Sequence, residues 1–141
     1  MTSPELDLTH RIEFSSAHRL HDDRLTDEEN ATLYGPCNNP NGHGHTYVLE
    51  VTVRGSVPPS GMIIDLNVLR AIMHVEVFQH VDHKHLDLDV PFMRGRISTA
   101  ENLAVAFWEQ LCAPIGEKGV ARLHRVRVYE GPDSYVDCHG V

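Results

Sequence analysis

Between His43 and Arg54 the chain alternates with a period of two. His43, His45, Tyr47, Leu49, Val51 and Val53 fall on one side, and Thr46, Glu50, Thr52 and Arg54 on the other. That is the pattern of a strand with one face turned to a core. Such a strand needs a second layer to bury its apolar face. It also sets two imidazoles on the core-facing side, where an unpartnered polar ring is costly.

The remaining elements follow from similar signals. Thr9 to Arg19 alternates as well, with Ile12, Phe14, Ser16 and His18 on one face. The stretch from Asp22 to Gly42 is polar and long for a loop, a length that signals function, with room for a short helical turn near Thr26 to Leu33. Pro58 to Gly61 is a turn, after which Asp65 caps a helix to about Val81 with Leu66, Leu69, Ile72, Met73 and Val77 as its apolar stripe. Ser98-Thr99-Ala100-Glu101 reads as a capping box, followed by Leu103, Ala106, Phe107, Gln110 and Leu111 at helical spacing up to a break at Ile115-Gly116. Leu123 to Glu130 and Ser134 to His139 flank Gly131-Pro132-Asp133 and predict a terminal hairpin.

The order strand, strand, helix, helix, strand, strand contains no βαβ alternation, so it predicts an α+β layer, with two helices covering one face of a four-stranded antiparallel sheet. At 141 residues, 1–141 is expected to be a single domain. The apolar residues form no run long enough to span a bilayer and the polar start is not a signal peptide, which predicts a soluble cytoplasmic protein. A balance of 12 Lys and Arg against 20 Asp and Glu would repel a phosphate backbone, which argues against nucleic acid as a partner. Cys37, Cys112 and Cys138 lie far apart and are read as free thiols.

Eleven histidines stand out in this composition. His43 and His45, at i and i+2 of a strand, point to the same side about 6.6 Å apart, from which two rings can converge on one ion. Gly44 is expected to keep the space between them open. His18, on the core-facing side of the first strand, is a third ligand if the two strands pair with those ends together. Three neutral nitrogens, no thiolate and a fourth position left for water or substrate describe a catalytic zinc rather than a closed structural one. An isolated H-x-H also fits two partly exposed strand histidines. The core parity of these two, and the loop that leads into them, favour the metal. His21, His74, His80, His85, His124 and His139 are assigned to surface or structure.

Four segments resemble the 6-pyruvoyl tetrahydropterin synthase and 6-carboxytetrahydropterin synthase family: Ser15-Ser16-Ala17-His18-Arg19-Leu20, Cys37-Asn38-Asn39-Pro40-Asn41-Gly42-His43-Gly44-His45, Val81-Asp82-His83-Lys84-His85-Leu86-Asp87 and Ser98-Thr99-Ala100-Glu101-Asn102. The resemblance runs almost the full length, in order. It implies the tunnelling fold, whose subunits form a trimeric barrel, with two trimers stacked into a hexamer. It implies zinc on His18, His43 and His45. It also implies conversion of 7,8-dihydroneopterin triphosphate to 6-pyruvoyl tetrahydropterin with loss of triphosphate, without an external redox cofactor.

Under that resemblance Cys37 is the general base, activated by a nearby cation or imidazolium. Asp82 and His83 match the pair that reaches the cysteine from a neighbouring subunit, although a helix C-terminus would also favour His83 and Lys84 there. Glu130, on the face of Val126 and Val128, matches the position that grips the pterin, where a carboxylate can accept two parallel N–H bonds. Glu101, Ser98 and Thr99 would join it in substrate binding, while a capping role accounts for Glu101 nearly as well. Animal members carry Lys where this chain has Pro36. Positive charge for the triphosphate must then come from Lys84, Arg19 or Arg24, or from Mg²⁺ brought with the substrate.

Two other readings stay open. The interval from Cys37 to His43 resembles the pyruvoyl-forming type, whereas Met62-Ile63-Ile64-Asp65 looks closer to the 6-carboxytetrahydropterin synthases of deazapurine biosynthesis. A non-catalytic zinc- or pterin-binding module is the reading of another class, and the intact set of Cys37, Asp82 and His83 argues against it.

Overall fold

In a computed structural model, which describes residues 3–141, the two alternating segments become long strands: β1 (Glu5–His18) and β2 (His43–Ser56). They pair antiparallel without a register break, from Glu5 opposite Ser56 to His18 opposite His43. The ends that carry the histidines therefore lie side by side, and the shared parity puts all three rings on one face. On that face Phe14, Tyr47, Leu49, Val51 and Val53 are buried, with Phe14 stacked on Tyr47 at 5.0 Å between ring centroids.

The segment from Asp22 to Gly42 is more ordered than its polarity suggests. It forms α1 (Asp27–Tyr34) and a 3₁₀ turn, Gly35–Asn38. Thr26 and Glu29 cap α1 reciprocally. Asn30, fully buried, accepts from the Asp22 backbone N–H at 2.8 Å and donates to the Asp22 carbonyl at 2.9 Å, folding the loop onto the helix.

α2 (Leu66–Met73) starts at Asp65, whose carboxylate accepts the Asn67 N–H at 2.8 Å. The expected helix does run to Val81, but not as uniform α structure: a π turn, His74–Phe78, precedes a closing α turn, Gln79–Val81. Leu69, Ile72, Met73, Val77 and Val81 all face the core. The expected stripe also included Leu66, which lies at its margin with 38% of its surface exposed.

The sheet departs from the expected four antiparallel strands. A two-residue strand, β3 (Lys84–His85), lies parallel to β1 at Ser16 and Ala17, so the sheet is five-stranded and mixed. The cause is tertiary: the chain leaving the helix is caught on the β1 edge. The His83 N–H bonds the Ser15 carbonyl at 2.6 Å and the Leu86 N–H bonds the Ala17 carbonyl at 2.8 Å.

α3 (Ala100–Gly116) packs Leu103, Phe107 and Leu111 into the same core, Phe107 edge-on to Phe14 at 5.9 Å. β4 (Arg122–Gly131) joins β2 antiparallel, with a bulge opposite Thr52 and Val53 that turns both Leu123 and Val126 inward. β5 (Ser134–Cys138) completes the expected hairpin. The strand order is β3-β1-β2-β4-β5. Among the described residues no helix is long and apolar enough to cross a membrane.

Candidate metal centre

At the paired ends of β1 and β2, His18, His43 and His45 each offer one ring nitrogen, all within 4.8 Å of one another. The rings stand edge to face, 4.6 to 5.1 Å apart between centroids. His18 is fully buried, while the other two are half-buried. Its Nδ1 lies 2.8 Å from the Ser98 carbonyl. A carbonyl only accepts, so Nδ1 carries the proton and the Nε2 lone pair points inward. Burial holds the His18 imidazole below its ordinary pKa, and the neighbouring His43 and His45 reinforce the neutral form against the Ser98 bond and Glu130.

His18 Nε2 and His43 Nε2 are 3.1 Å apart. Two lone pairs at that distance repel unless a cation or a proton lies between them. Nitrogens bound tetrahedrally to zinc at 2.0–2.1 Å stand about 3.3 Å from each other. His43 Nδ1 and His45 Nε2 are buried with no hydrogen-bond partner among the described residues. The Nε2 atoms of His18 and His43 and the unpartnered Nε2 of His45 form a donor set that fits a divalent ion of zinc's preferences, and three imidazoles leave a tetrahedral ion one ligand short. Gly44 plays a different part from the expected one. It sits on the opposite face of β2, where an added Cβ would meet the Ser16 carbonyl at 3.4 Å. Strand alternation alone separates the two rings.

Glu130, half-buried at the end of β4, puts Oε1 3.4 Å from His45 Nε2, so it is part of the centre rather than an exposed strand end. Tyr47, which no sequence argument assigned to the site, packs its ring 5.5 Å from His45 and sets its hydroxyl 3.4 Å from His18 Nδ1. Burial raises its pKa first, and the charges of Glu130, Asp87 and Cys37 raise it further.

Cys37, half-buried, lies in the Gly35–Asn38 turn, which is tied to the residues just past His18. The Leu20 N–H bonds the Cys37 carbonyl at 2.9 Å, Asn38 Nδ2 bonds the Leu20 carbonyl at 2.7 Å and Arg19 Nε bonds the Asn38 carbonyl at 2.9 Å. The thiol and His18 are thus carried by one clamped segment.

The other expected site residues divide. Ser98 is fully buried behind His18, so its surface is not open to a substrate, and its carbonyl supports the imidazole instead. The helix cap is Thr99 rather than Ser98: its Oγ1 accepts the Asn102 N–H at 3.2 Å. The expected capping box is therefore absent. Glu101 is exposed in the first turn of α3 without that role. Asp82 and His83 form a close pair, Oδ2 to Nδ1 at 2.7 Å. The Ser15 N–H, at 3.0 Å from Asp82 Oδ1, is the main cause holding the Asp82 carboxyl below its ordinary pKa, with His83 adding to it. His83 adopts a left-handed backbone, φ 59°. Its exposed ring borders a hollow of about 550 Å³ lined on β1 and β2 by Ser15, Ser16, Ala17, Gly44, His45 and Thr46, with Lys84 and His85 beside it. Among the described residues the side chains of this pair bond only to Ser15 and to each other, with no hydrogen bond or ion pair to Cys37, His18, His43 or His45 of the same chain.

Of the cationic residues, Arg24 is held bidentately by Asp22 at 2.9 and 3.0 Å, whereas exposed Lys84 makes no ion pair among the described residues.

A sequence model described as 6-pyruvoyl tetrahydropterin synthase matches residues 7–140. The 6-pyruvoyl tetrahydrobiopterin synthase of Homo sapiens is 44% identical over 136 residues, covering 94% of this chain and 90% of the relative. The structure of Caenorhabditis elegans 6-pyruvoyl tetrahydropterin synthase superposes with a TM-score of 0.90 at 39% identity, covering both chains completely. A protein of Archaeoglobus fulgidus named as a putative 6-carboxy-5,6,7,8-tetrahydropterin synthase is 33% identical over 95 residues, covering 67% of this chain and 73% of its own. On the full-length family match and the extent of these likenesses, the chain belongs to the 6-pyruvoyl tetrahydropterin synthase family.

Proposed function

We propose that residues 1–141 form one pterin-synthase domain, a zinc-dependent, triphosphate-eliminating lyase of tetrahydrobiopterin biosynthesis that converts 7,8-dihydroneopterin triphosphate to 6-pyruvoyl tetrahydropterin. The observation that carries this reading is the convergence of His18, His43 and His45 within 4.8 Å, with His18 held as the tautomer whose Nε2 is free.

His18, His43 and His45 would hold the zinc. When bound, it supplies a Lewis acid that polarises the side-chain oxygens of the substrate. Cys37 removes the side-chain proton, with His83, oriented by Asp82, as its partner. Glu130 accepts N–H bonds from the aminopyrimidinone edge, with Glu101 and Thr99 as further contacts at the start of α3. Lys84 answers the triphosphate, helped by Mg²⁺ that enters with it.

Because the side chains of Asp82 and His83 make no hydrogen bond or ion pair to the Cys37 of their own chain among the described residues, we assign the pair to the Cys37 of another subunit. The outer edge of β1 is paired only at Ser16 and Ala17, and that of β5 has no ladder partner among the described residues. Open edges of this kind favour pairing between copies into a barrel, and we assign a hexamer built from two trimers. All three cysteines are free, in keeping with a reducing cytoplasm.

The pyruvoyl-forming reaction is preferred over the carboxy-forming one because the pyruvoyl relatives match at higher identity and over more of both chains. Incubating the purified protein with dihydroneopterin triphosphate and weighing the product tests this. A pyruvoyl pterin with free triphosphate is expected. A carboxypterin, or no turnover by zinc-loaded protein, would overturn it in favour of the other family reaction or of a binding module.

A further inference from the structure

We propose that Asn102 is a positioning residue for the metal centre, setting the Ser98 carbonyl that fixes the His18 tautomer; this rests on the reading of His18, His43 and His45 as metal ligands. Among the described residues only one good hydrogen bond reaches His18 Nδ1, the 2.8 Å contact to the Ser98 carbonyl. The hydroxyls of Tyr47 and Ser98 stand at 3.4 Å and compete poorly at that length. The position of one carbonyl therefore decides which nitrogen of a fully buried ring keeps its lone pair for the metal.

Ser98 precedes α3 and gains no order from the helix ladder. The residues on either side of it are held instead by Asn102. Its Nδ2 donates to the Ile97 carbonyl at 2.8 Å, and its backbone N–H is taken by Thr99 Oγ1 at 3.2 Å. Thr99 N–H closes the turn on the Ile97 carbonyl at 2.8 Å. Asn102 thus grips both ends of a three-residue turn whose middle carbonyl faces His18. The Asn102 side-chain tie acts only on the Ile97 end, whereas the Thr99 hydroxyl serves the start of the helix, so the two contributions can be separated by substitution.

Zinc affinity, measured on stripped protein by competition with a chromophoric chelator, tests this. Asn102→Ala and the isosteric Asn102→Asp, which loses the donor, are expected to weaken zinc binding about 10- to 100-fold, the range for outer partners of metal-bound histidines. Their cobalt-substituted forms are expected to show shifted d–d absorption. Thr99→Ala removes the helix cap but leaves the Ile97 tie, and its affinity is expected to stay within about twofold of the native protein. Native affinity in both Asn102 variants would overturn the proposal. Equal weakening in Thr99→Ala would also overturn it, by tracing the effect to a frayed helix start. His43→Ala keeps the two readings apart. If it loses zinc while the Asn102 variants do not, the histidine site stands and only the role of Asn102 falls. If it binds zinc as tightly as the native protein, the histidine site itself is wrong and the proposal falls with it.

Discussion

A buried imidazole that must stay neutral makes the fold sensitive to acid. His18 has its pKa lowered from 6.5, chiefly by burial. Above about pH 6.5 neither state is protonated there and folding bears no cost from this group. Below it the unfolded chain binds a proton that the folded chain refuses, and stability falls until the pH passes the lower folded value. Denaturant titrations of metal-free protein between pH 5 and 7.5 should show this fall, and His18→Gln should flatten it; an equal slope in both would contradict the assignment. Cys37→Ala should keep its metal and lose turnover by about 10²- to 10⁴-fold, the share of a general base. Full activity in that variant would remove Cys37 from the chemistry. The three histidines were legible because strand alternation is a local code with a period of two. The Ser98 carbonyl, the Tyr47 hydroxyl and the Asn102 clamp were not. Ser98 reaches His18 across 80 residues of sequence, and no local pattern records such a bond.

At the level of elements, the strands and the two long helices were legible from periodicity and caps. α1 carried a readable signal as well, the Thr26 to Glu29 spacing of its reciprocal cap. The cap of α3 was misplaced by one residue because Ser98 and Thr99 are both good caps, and tertiary burial of Ser98 settled the choice. Nothing local announces β3, which exists because the β1 edge captures two residues, or the π turn within the helix that precedes it. The terminal hairpin is cross-linked by Arg127, which holds Asp137 at 2.7 and 3.0 Å and lies 3.7 Å above the Tyr135 ring. The Arg127 hydrogen bonds depress the Asp137 carboxyl below its ordinary 3.8. The stability it contributes is therefore fully present above pH 3.8 and is lost as the pH falls through the folded value below that. At pH 7, Asp137→Asn should cost about 1 kcal/mol in denaturant unfolding, and the difference from the native protein should vanish in strong acid. A difference that persists there would mean the loss is one of packing rather than charge.

For the whole molecule, Asp82 and His83 acting on a neighbour's Cys37, as proposed, would make the complete site a property of the assembly. Cys37→Ala and His83→Ala should each be inactive alone. When the two are dissociated, mixed in equal amounts and reassembled, roughly a quarter of the sites would combine an intact thiol with an intact imidazole from a neighbour. Activity should return to that order, and a mixture as inactive as its parents would place both residues in one chain. The site's central claim is more local: zinc on three imidazoles, with Cys37 free to take a proton. X-ray absorption at the zinc edge of the purified native protein measures the ligands themselves. The expected spectrum is three imidazole nitrogens at about 2.0 Å with a light fourth ligand. A sulfur shell at about 2.3 Å would place Cys37 on the metal and contradict its role as the base, and a protein without zinc would contradict the site.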